Sequence, residues 1–136
     1  MKRFFSLKLK AFTLQELLVV LVIIGILILI ALPNLMPLIS RAKSTEAKMQ
    51  LGHVYNLQKN HFYMYSKYSA ELTDIGFEQE PLVTNEGNAN YRIELVEANA
   101  STFKARAVAV VDFDGDGTFN IWEIDQDKKL KETVKD

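Results

Sequence analysis

The sequence has no cysteine among its 136 residues. This absence excludes a disulfide framework, a thiolate zinc site and a cysteine nucleophile. Positive and negative charges are nearly balanced, because the formal net charge at pH 7 is only −1. The chain therefore lacks the excess of basic residues that is typical of nucleic-acid-binding proteins. Glycine and proline are sparse, at 6 and 3 residues, and the sequence holds no phosphate-binding loop and no Gly-x-Ser-x-Gly motif. We therefore expect neither an enzyme with a small-molecule substrate nor a nucleic-acid-binding protein.

The hydrophobic residues are concentrated in one uninterrupted segment. Sixteen residues from Leu17 to Leu32 carry no polar side chain. With the apolar residues on either side, the segment is long enough to cross a membrane as a helix. Glu16 and Pro33 lie at its two ends, and a simple membrane anchor would need neither a carboxylate nor a helix-bending residue there. The first ten residues hold four cations and no acid, namely Lys2, Arg3, Lys8 and Lys10.

The residues around the start of this segment form a recognisable pattern. The basic leader, the string Phe12-Thr-Leu-Gln-Glu16, the apolar run and the position of Pro33 resemble the N-terminal region of type IV prepilins and pseudopilins. The resemblance implies that a prepilin peptidase cuts between Ala11 and Phe12 and that the new amino terminus of Phe12 is methylated. Ala11 departs from the glycine usual in the family, but it is small enough that we expect cleavage.

The resemblance also implies a fold and a division of the chain. The expected fold is α+β, with a long N-terminal α-helix packed on a small antiparallel β-sheet of three or four strands. The expected parts are a leader peptide (1–11), a hydrophobic transmembrane and assembly helix (12–39) and a periplasmic globular domain (40–136). Within the globular domain, the helix is expected to continue to about residue 67, followed by a loop over 68–90 and the sheet over 91–136.

Glu16 and Pro33 are the candidate assembly residues. Cleavage would expose an ammonium group on Phe12, next to an apolar helix that also carries Glu16. Opposite charges about 4 Å apart attract by several kcal/mol when the effective dielectric constant is low. Glu16 of one helix could therefore pair with the amino terminus of a neighbouring helix and fix the stagger between subunits, which is the role that the resemblance implies for it.

A helical pattern continues beyond Pro33. One face is predicted to comprise Leu35, Leu38, Ile39, Ala42, Met49, Val54, Leu57 and Phe62. Five aromatic residues are expected to pack the helix against the sheet, namely Tyr55, Phe62, Tyr63, Tyr65 and Tyr68. His53 and His61 lack the carboxylate arrangement of a metal site and are expected at a surface or an interface.

Alternating apolar and polar residues predict short strands over 91–95, 103–111, 121–124 and 130–134. Before the third strand, the segment from Asp112 to Glu123 matches the twelve-residue EF-hand calcium loop. The predicted ligands are Asp112, Asp114, Asp116, Thr118 through its carbonyl, Asn120 and Glu123, with Asp125 as the alternative to Glu123. Strands flank this loop where an EF-hand has helices, so a β-turn without metal remains the alternative.

The sequence thus predicts a structural subunit of a type IV pilus-like filament. Its expected partners are copies of itself and other pilins, the prepilin peptidase, an inner-membrane assembly platform and, before assembly, membrane lipid. Its expected location is the bacterial inner membrane, as a single-pass protein with its C-terminus outside the cytoplasm, and then a filament at the cell surface or in the periplasm. Two alternatives stay open: a pseudopilin of a type II secretion or DNA-uptake system, and a single-span membrane protein with a calcium-dependent binding domain.

Overall fold

The computed structural model describes residues 10–136. Most of the predicted leader, including three of its four cations, lies outside the described residues. The chain divides into two compact units, one ending at Leu35 and one running from Met36 to Asp136. The first helix, α1 (Leu14–Tyr65), contributes residues to both units, and each unit is described here by itself.

The first unit consists of the N-terminal part of α1. All its described side chains are exposed, including the whole apolar run from Leu17 to Leu32. This part of α1 is long and apolar enough to cross a membrane. A helix that is apolar on every side has no stable position in water, so its burial must come from lipid or from other helices.

The second unit is the remainder of α1 with a four-stranded antiparallel sheet. The strands are paired in chain order, so the sheet is a simple meander. Their bounds are β1 (Tyr91–Ala98), β2 (Phe103–Ala109), β3 (Ile121–Asp125) and β4 (Leu130–Val134). The predicted α+β fold, with one long helix on a small antiparallel sheet, is confirmed.

The core lies where α1 meets the centre of the sheet. Alternate residues of β2 are buried, and three of these four are alanines, at 105, 107 and 109. Small side chains at these positions leave room for Leu51 and Val54 of α1, which belong to the same core cluster. Both of these aliphatic side chains are fully buried.

The inward face of α1 is more polar than the sequence pattern predicted. Its buried residues are Ser40, Ser44, Ala47, Leu51, Val54, Gln58 and His61. The face that the sequence pattern predicted is buried only in its C-terminal part, where Val54 is buried and Leu57 and Phe62 are partly buried. Its other members are exposed, namely Leu35, Leu38, Ile39, Ala42 and Met49. Of the two histidines expected at a surface or an interface, His53 is exposed, whereas His61 is buried and its Nδ1 lies 2.8 Å from the carbonyl oxygen of Lys67.

Hydrogen bonds explain how a polar residue is accommodated in this core. The Gln58 side-chain amide donates to the carbonyl of Ser69 at 2.8 Å and accepts from the Ser69 N–H at 3.0 Å. A buried amide that makes both bonds loses little on leaving water. The pair also fastens the chain directly after α1 back onto the helix.

The aromatic cluster forms only in part. The rings of Phe62 and Tyr68 stack with centroids 4.9 Å apart, and Tyr68 lies 4.9 Å from Phe103 of β2. Tyr63 and Tyr65 are exposed, so their predicted packing between helix and sheet is wrong. They lie on the side of the last helical turns that faces away from the core.

Candidate functional site

The predicted cleavage point lies immediately before α1. Ala11 and Phe12 are exposed, Phe12 to 84%. An exposed, non-helical dipeptide can enter a peptidase active site without unfolding the helix behind it. Cleavage and methylation at these residues stay predictions.

Glu16 begins α1 as one half of a capping box. The N–H of Thr13 donates to Glu16 Oε2 at 2.8 Å, and the N–H of Glu16 donates to Thr13 Oγ1 at 3.2 Å. This reciprocal pair satisfies backbone donors that the first helical turn leaves free. The sequence reasoning assigned Glu16 to assembly alone and missed the cap, although Thr-x-x-Glu before an apolar run is its usual signal.

Pro33 lies within α1, which stays helical on both sides of it. Proline has no N–H to donate to the carbonyl four residues before it. The next residue, Asn34, donates its side-chain amide to the carbonyl of Ile30 at 3.2 Å. This bond supplies a side-chain donor at the turn where the backbone ladder is interrupted.

The loop between β2 and β3 brings three predicted metal ligands together. A carboxylate oxygen from each of Asp112, Asp114 and Asp116 lies within 4.8 Å of the other two. Gly115 and Gly117 have φ angles of 81° and 87°, in the left-handed region that glycine adopts without strain. The two glycines allow the chain to turn back tightly enough for alternate aspartates to converge.

Backbone N–H groups hold the three carboxylates in place. Asp112 accepts from Gly115 at 2.6 Å and from Gly117 at 2.7 Å. Asp114 accepts from the Asp116 N–H at 3.0 Å, and Asp116 accepts from the Thr118 N–H at 2.7 Å. The loop is thus shaped by its own side chains, and each carboxylate keeps further lone pairs for another partner.

The surroundings of Asp112 and Asp114 shift the pKa values of these two carboxyls in opposite directions. The hydrogen bond from the Gly117 N–H, with the smaller contribution of Gly115, lowers the pKa of the Asp112 carboxyl. The Asp116 N–H also lowers the pKa of Asp114, but burial and repulsion from the Asp116, Asp136 and Asp112 carboxylates outweigh it and leave the pKa raised. The negative charge of Asp114 is therefore opposed by its acidic neighbours.

Three of the other predicted ligands have different partners. The Asn120 side chain is fully buried and accepts the Tyr91 hydroxyl at 2.7 Å. Glu123 Oε1 forms an ion pair with Arg106 Nη2 at 2.8 Å across the β2–β3 ladder. Asp125 Oδ1 accepts the backbone N–H groups of Asp127 and Lys129, which closes the β3–β4 turn. The structure therefore does not bring these three predicted ligands to the aspartate cluster.

The strand after the loop explains this difference. In an EF-hand a helix follows the loop and returns the twelfth residue to the ion, whereas β3 is extended and directs Glu123 onto the face where Arg106 lies. Asp136 is a nearby carboxylate that the sequence reasoning did not consider. Its Oδ2 accepts the N–H of Phe113 at 2.9 Å, and its charge acts on Asp114.

Comparisons with known proteins identify the N-terminal region. Residues 8–32 match a family described as prokaryotic N-terminal methylation motif. The chain is 44% identical over 71 residues to the type IV major pilin protein PilA of Myxococcus xanthus (strain DK1622). This match covers 52% of the chain and 32% of the Myxococcus protein, so the chain spans about a third of that relative's length. The chain is thus similar to type IV pilins in its N-terminal methylation motif and over the 71 matched residues, and its long helix on a four-stranded antiparallel sheet is the α+β arrangement of the type IV pilin fold.

Proposed function

We propose that this chain is a structural subunit of a type IV pilus filament, in which its N-terminal helices form the core. The observation that carries the proposal is the exposed apolar segment from Leu17 to Leu32, directly behind the methylation motif. A surface of this size and hydrophobicity needs a partner of its own kind or a membrane. A filament subunit needs both in succession, with lipid before assembly and neighbouring helices afterwards.

The proposal includes the maturation steps. The chain is inserted in the bacterial inner membrane with its C-terminal unit outside the cytoplasm, and prepilin peptidase cuts before Phe12. The same enzyme methylates the new amino group, and an inner-membrane assembly platform adds the subunit to the filament. The exposed Ala11–Phe12 bond and the methylation motif support these steps.

Glu16 has two separable roles in this proposal. Its capping bonds with Thr13 stabilise the start of α1, and its negative charge pairs with the amino terminus of a neighbouring subunit. Glutamine at this position can make the same capping box without the charge. Alanine removes both.

The test compares Glu16→Ala with Glu16→Gln in cells. We expect both variants to remain in the membrane and to lose filaments in electron micrographs of sheared surface material, because both lack the charge. Thr13→Ala is the matched control, since it removes the cap's hydroxyl and leaves the charge of Glu16 intact.

One result would contradict the pairing: normal filaments from Glu16→Gln would show that the cap alone matters. We expect Thr13→Ala to form filaments, and their loss, with the protein still processed and in the membrane, would show that assembly needs the cap as well as the charge. Processed protein with no surface filament in the wild type would instead favour a pseudopilin.

We further propose that the aspartate loop binds calcium. Three carboxylates converge, and the pKa of Asp114 is raised by burial and by the neighbouring carboxylates, whose repulsion a divalent cation would neutralise. Calcium requires six to eight oxygens, so backbone carbonyls such as that of Thr118 and water would complete the shell in place of Glu123. Bound calcium would supply positive charge that holds the loop in one conformation, in a chain that has no disulfide to do so.

Asp116→Asn tests the calcium site. Asparagine keeps an oxygen to accept the Thr118 N–H but removes one negative charge. We expect calcium at about 100 times its dissociation constant to raise the melting temperature of the wild type by about 10 °C. The variant should lose most of that gain and melt no lower than the wild type in chelator.

The control is Asp127→Asn, an exposed aspartate in the β3–β4 turn outside the cluster, which should keep the full calcium response. An equal response of all three proteins, or none in the wild type, would mean that the loop is a turn without metal.

A further inference from the structure

An apolar groove lies on the face of the sheet that points away from α1. The buried residues of β2 alternate with Val108, which therefore points away from the helix together with its cross-strand neighbour Ile121. The groove has a volume of about 810 Å³, and its rim includes residues of two loops, 78–90 and 110–120. Its large apolar lining residues are Leu82, Val108, Val110, Phe119, Ile121 and Val134. Apolar side chains are not calcium ligands, so the metal site proposed above does not account for the groove.

The end of α1 carries three large side chains that the described part of the chain leaves exposed. Tyr63, Met64 and Tyr65 are 77%, 69% and 61% exposed. They are consecutive and form the end of the helix, and they are called the α1 tip below. Contiguous exposed hydrophobic groups of this kind mark interaction surfaces.

The groove and the α1 tip lie at opposite ends of the unit from Met36 to Asp136. The end with the groove is fixed to α1 at Glu46, whose carboxylate accepts the N–H of Asn90 at 2.7 Å. The carbonyl of Asn90 in turn accepts the N–H of Val110, which lines the groove, at 2.9 Å. At 1.5 Å per residue, Tyr63 lies roughly 25 Å further along α1 than Glu46. The tip cannot reach the groove of its own chain, so a contact between them joins two copies.

The charges beside the two surfaces have opposite signs. The loops 78–90 and 110–120 contain three acidic residues each and no lysine or arginine, and Arg92 is the cation among the residues that line the groove. The segment 58–70, which includes the tip, contains two lysines and no acidic residue. Calcium bound at the aspartate loop would cancel two of the six negative charges and leave the loops acidic. The groove of one copy therefore attracts the tip of another copy and repels a second groove.

We propose that the groove of one copy of this chain binds the α1 tip of the next copy. The two surfaces are different, so the contact is heterologous, and each pair of copies keeps one free tip and one free groove. Repeated contacts of this kind extend into an open chain unless they close into a ring. The place of this contact in a filament rests on the proposed function, whereas the complementarity of the two surfaces does not.

The size of the contact indicates where it forms. A tyrosine buries about 150–250 Å², so two tyrosines and the groove opposite them bury at most roughly 600–1,000 Å² in total. This area is at or below the limit of about 1,000 Å² for a stable complex of two free proteins. We therefore expect the contact to be weak between free subunits. In a filament it would be occupied, because the packed helices hold neighbouring copies at a high effective concentration.

Introduced cysteines test the contact, because the chain has none of its own. Met64→Cys places a thiol in the tip, and Thr84→Cys places one in the groove without removing Phe119. A disulfide requires Cα atoms within about 7 Å, so two thiols roughly 25 Å apart in one chain cannot pair with each other. Mild oxidation of sheared filaments of the double variant should move most of the chain into a ladder of multimers on a non-reducing gel.

Two kinds of control accompany the double variant. Each single-cysteine variant should stay monomeric, because the tip meets a groove and not another tip. The pair Met49→Cys with Thr84→Cys is the matched control, since Met49 is also 69% exposed. Met49 lies about four turns before Met64 on α1, so this pair should give no ladder.

Further substitutions in the double-cysteine chain test the apolar and the charged part of the contact. Phe119→Ser should lower the fraction of chain in the ladder several-fold, whereas Val111→Ser, at an exposed valine that does not line the groove, should not. Lys67→Glu reverses a charge next to the tip and should also lower that fraction. Lys131→Glu reverses an exposed charge away from both surfaces and should leave it unchanged.

Filaments without a ladder, or a dimer from either single variant, would overturn the contact and leave the proposed function unaffected. An equal ladder from the control pair with Met49→Cys would also overturn it. Absence of filaments in the wild type would instead contradict the proposed function. Whenever filaments are missing, the same oxidation is applied to cell membranes, where the chains are concentrated in two dimensions. A ladder there would support the contact, and its absence would overturn it.

Discussion

The two units of this chain use the same helix in opposite ways. Up to Leu35 the described side chains of α1 are exposed on every side, although nearly all of them are apolar. From Met36 onward, the helix buries one face that mixes serine, glutamine and histidine with aliphatic residues. The first part of the helix is more hydrophobic and packs against nothing within the described chain. The second part is less hydrophobic, and it packs against the sheet to form the core. A helix that is apolar on every side must be buried by lipid or by other helices, whereas a helix with one apolar face can be buried by the rest of its own chain.

The largest effect on stability is expected when a leucine of the core is replaced, and an isoleucine in the apolar run serves as the comparison. Leu51→Ala removes a fully buried side chain and should lower the free energy of unfolding of the second unit by about 3 kcal/mol. Ile24→Ala removes an exposed side chain and should leave that free energy unchanged. Urea unfolding of the full chain in detergent, followed by Trp122 fluorescence, measures both. A comparable loss from Ile24→Ala would contradict the division into two units.

A pair of glycines gives a second, somewhat smaller contrast. A methyl group at Gly87 would collide with the backbone of Pro81, whereas one at Gly25 meets nothing. Gly87→Ala should therefore cost about 2 kcal/mol, because a backbone segment must move to make room. Gly25→Ala should leave the unfolding of the second unit unaffected. Thermal unfolding of the two variants checks this, and an unchanged melting temperature for Gly87→Ala would show that the 81–89 loop adapts freely.

The smallest of these effects concerns pH. Burial, together with the carboxylates of Glu46, Asp136 and Glu132, raises the pKa of the Tyr91 hydroxyl well above its ordinary value. Above about pH 10 the unfolded chain loses this proton while the folded chain keeps it, so stability should fall as pH rises through that range. Tyr91→Phe should remove this part of the pH dependence.

The same variant has a cost at neutral pH. It leaves the buried Asn120 Oδ1 without its donor, which should cost about 1 kcal/mol. Urea unfolding at pH 8 and pH 10.5 separates the two effects. An identical alkaline loss in the variant and the wild type would assign the pH dependence to other groups.

Features that depend on neighbouring residues were predicted correctly, whereas contacts between distant parts of the chain were not. The apolar run, the fold and the strands follow from local patterns, because membrane-length hydrophobicity and strand alternation are properties of consecutive residues. The partners of Gln58 and His61 depend on where the chain returns after α1, which local periodicity does not encode. Helical spacing therefore placed Met49 inward and missed the polar residues of the true inner face.

The calcium loop shows the same limit within a single motif. The spacing of Asp112, Asp114 and Asp116 predicted their convergence correctly, since a turn of this length is shaped by its own hydrogen bonds. The position of Glu123 depends on whether a helix or a strand follows. Because β3 pairs with β2, the Glu123 carboxylate lies beside Arg106 and forms an ion pair with it instead.

The mass of the N-terminal peptide in sheared surface filaments tests the central claim most directly. We expect filaments built from a chain that begins at Phe12 with one methyl group on its amino nitrogen, because the exposed apolar helix then starts at the cut and can enter the filament core. Filaments whose subunits retain residues 1–11, or a processed chain that is never found in filaments, would contradict it.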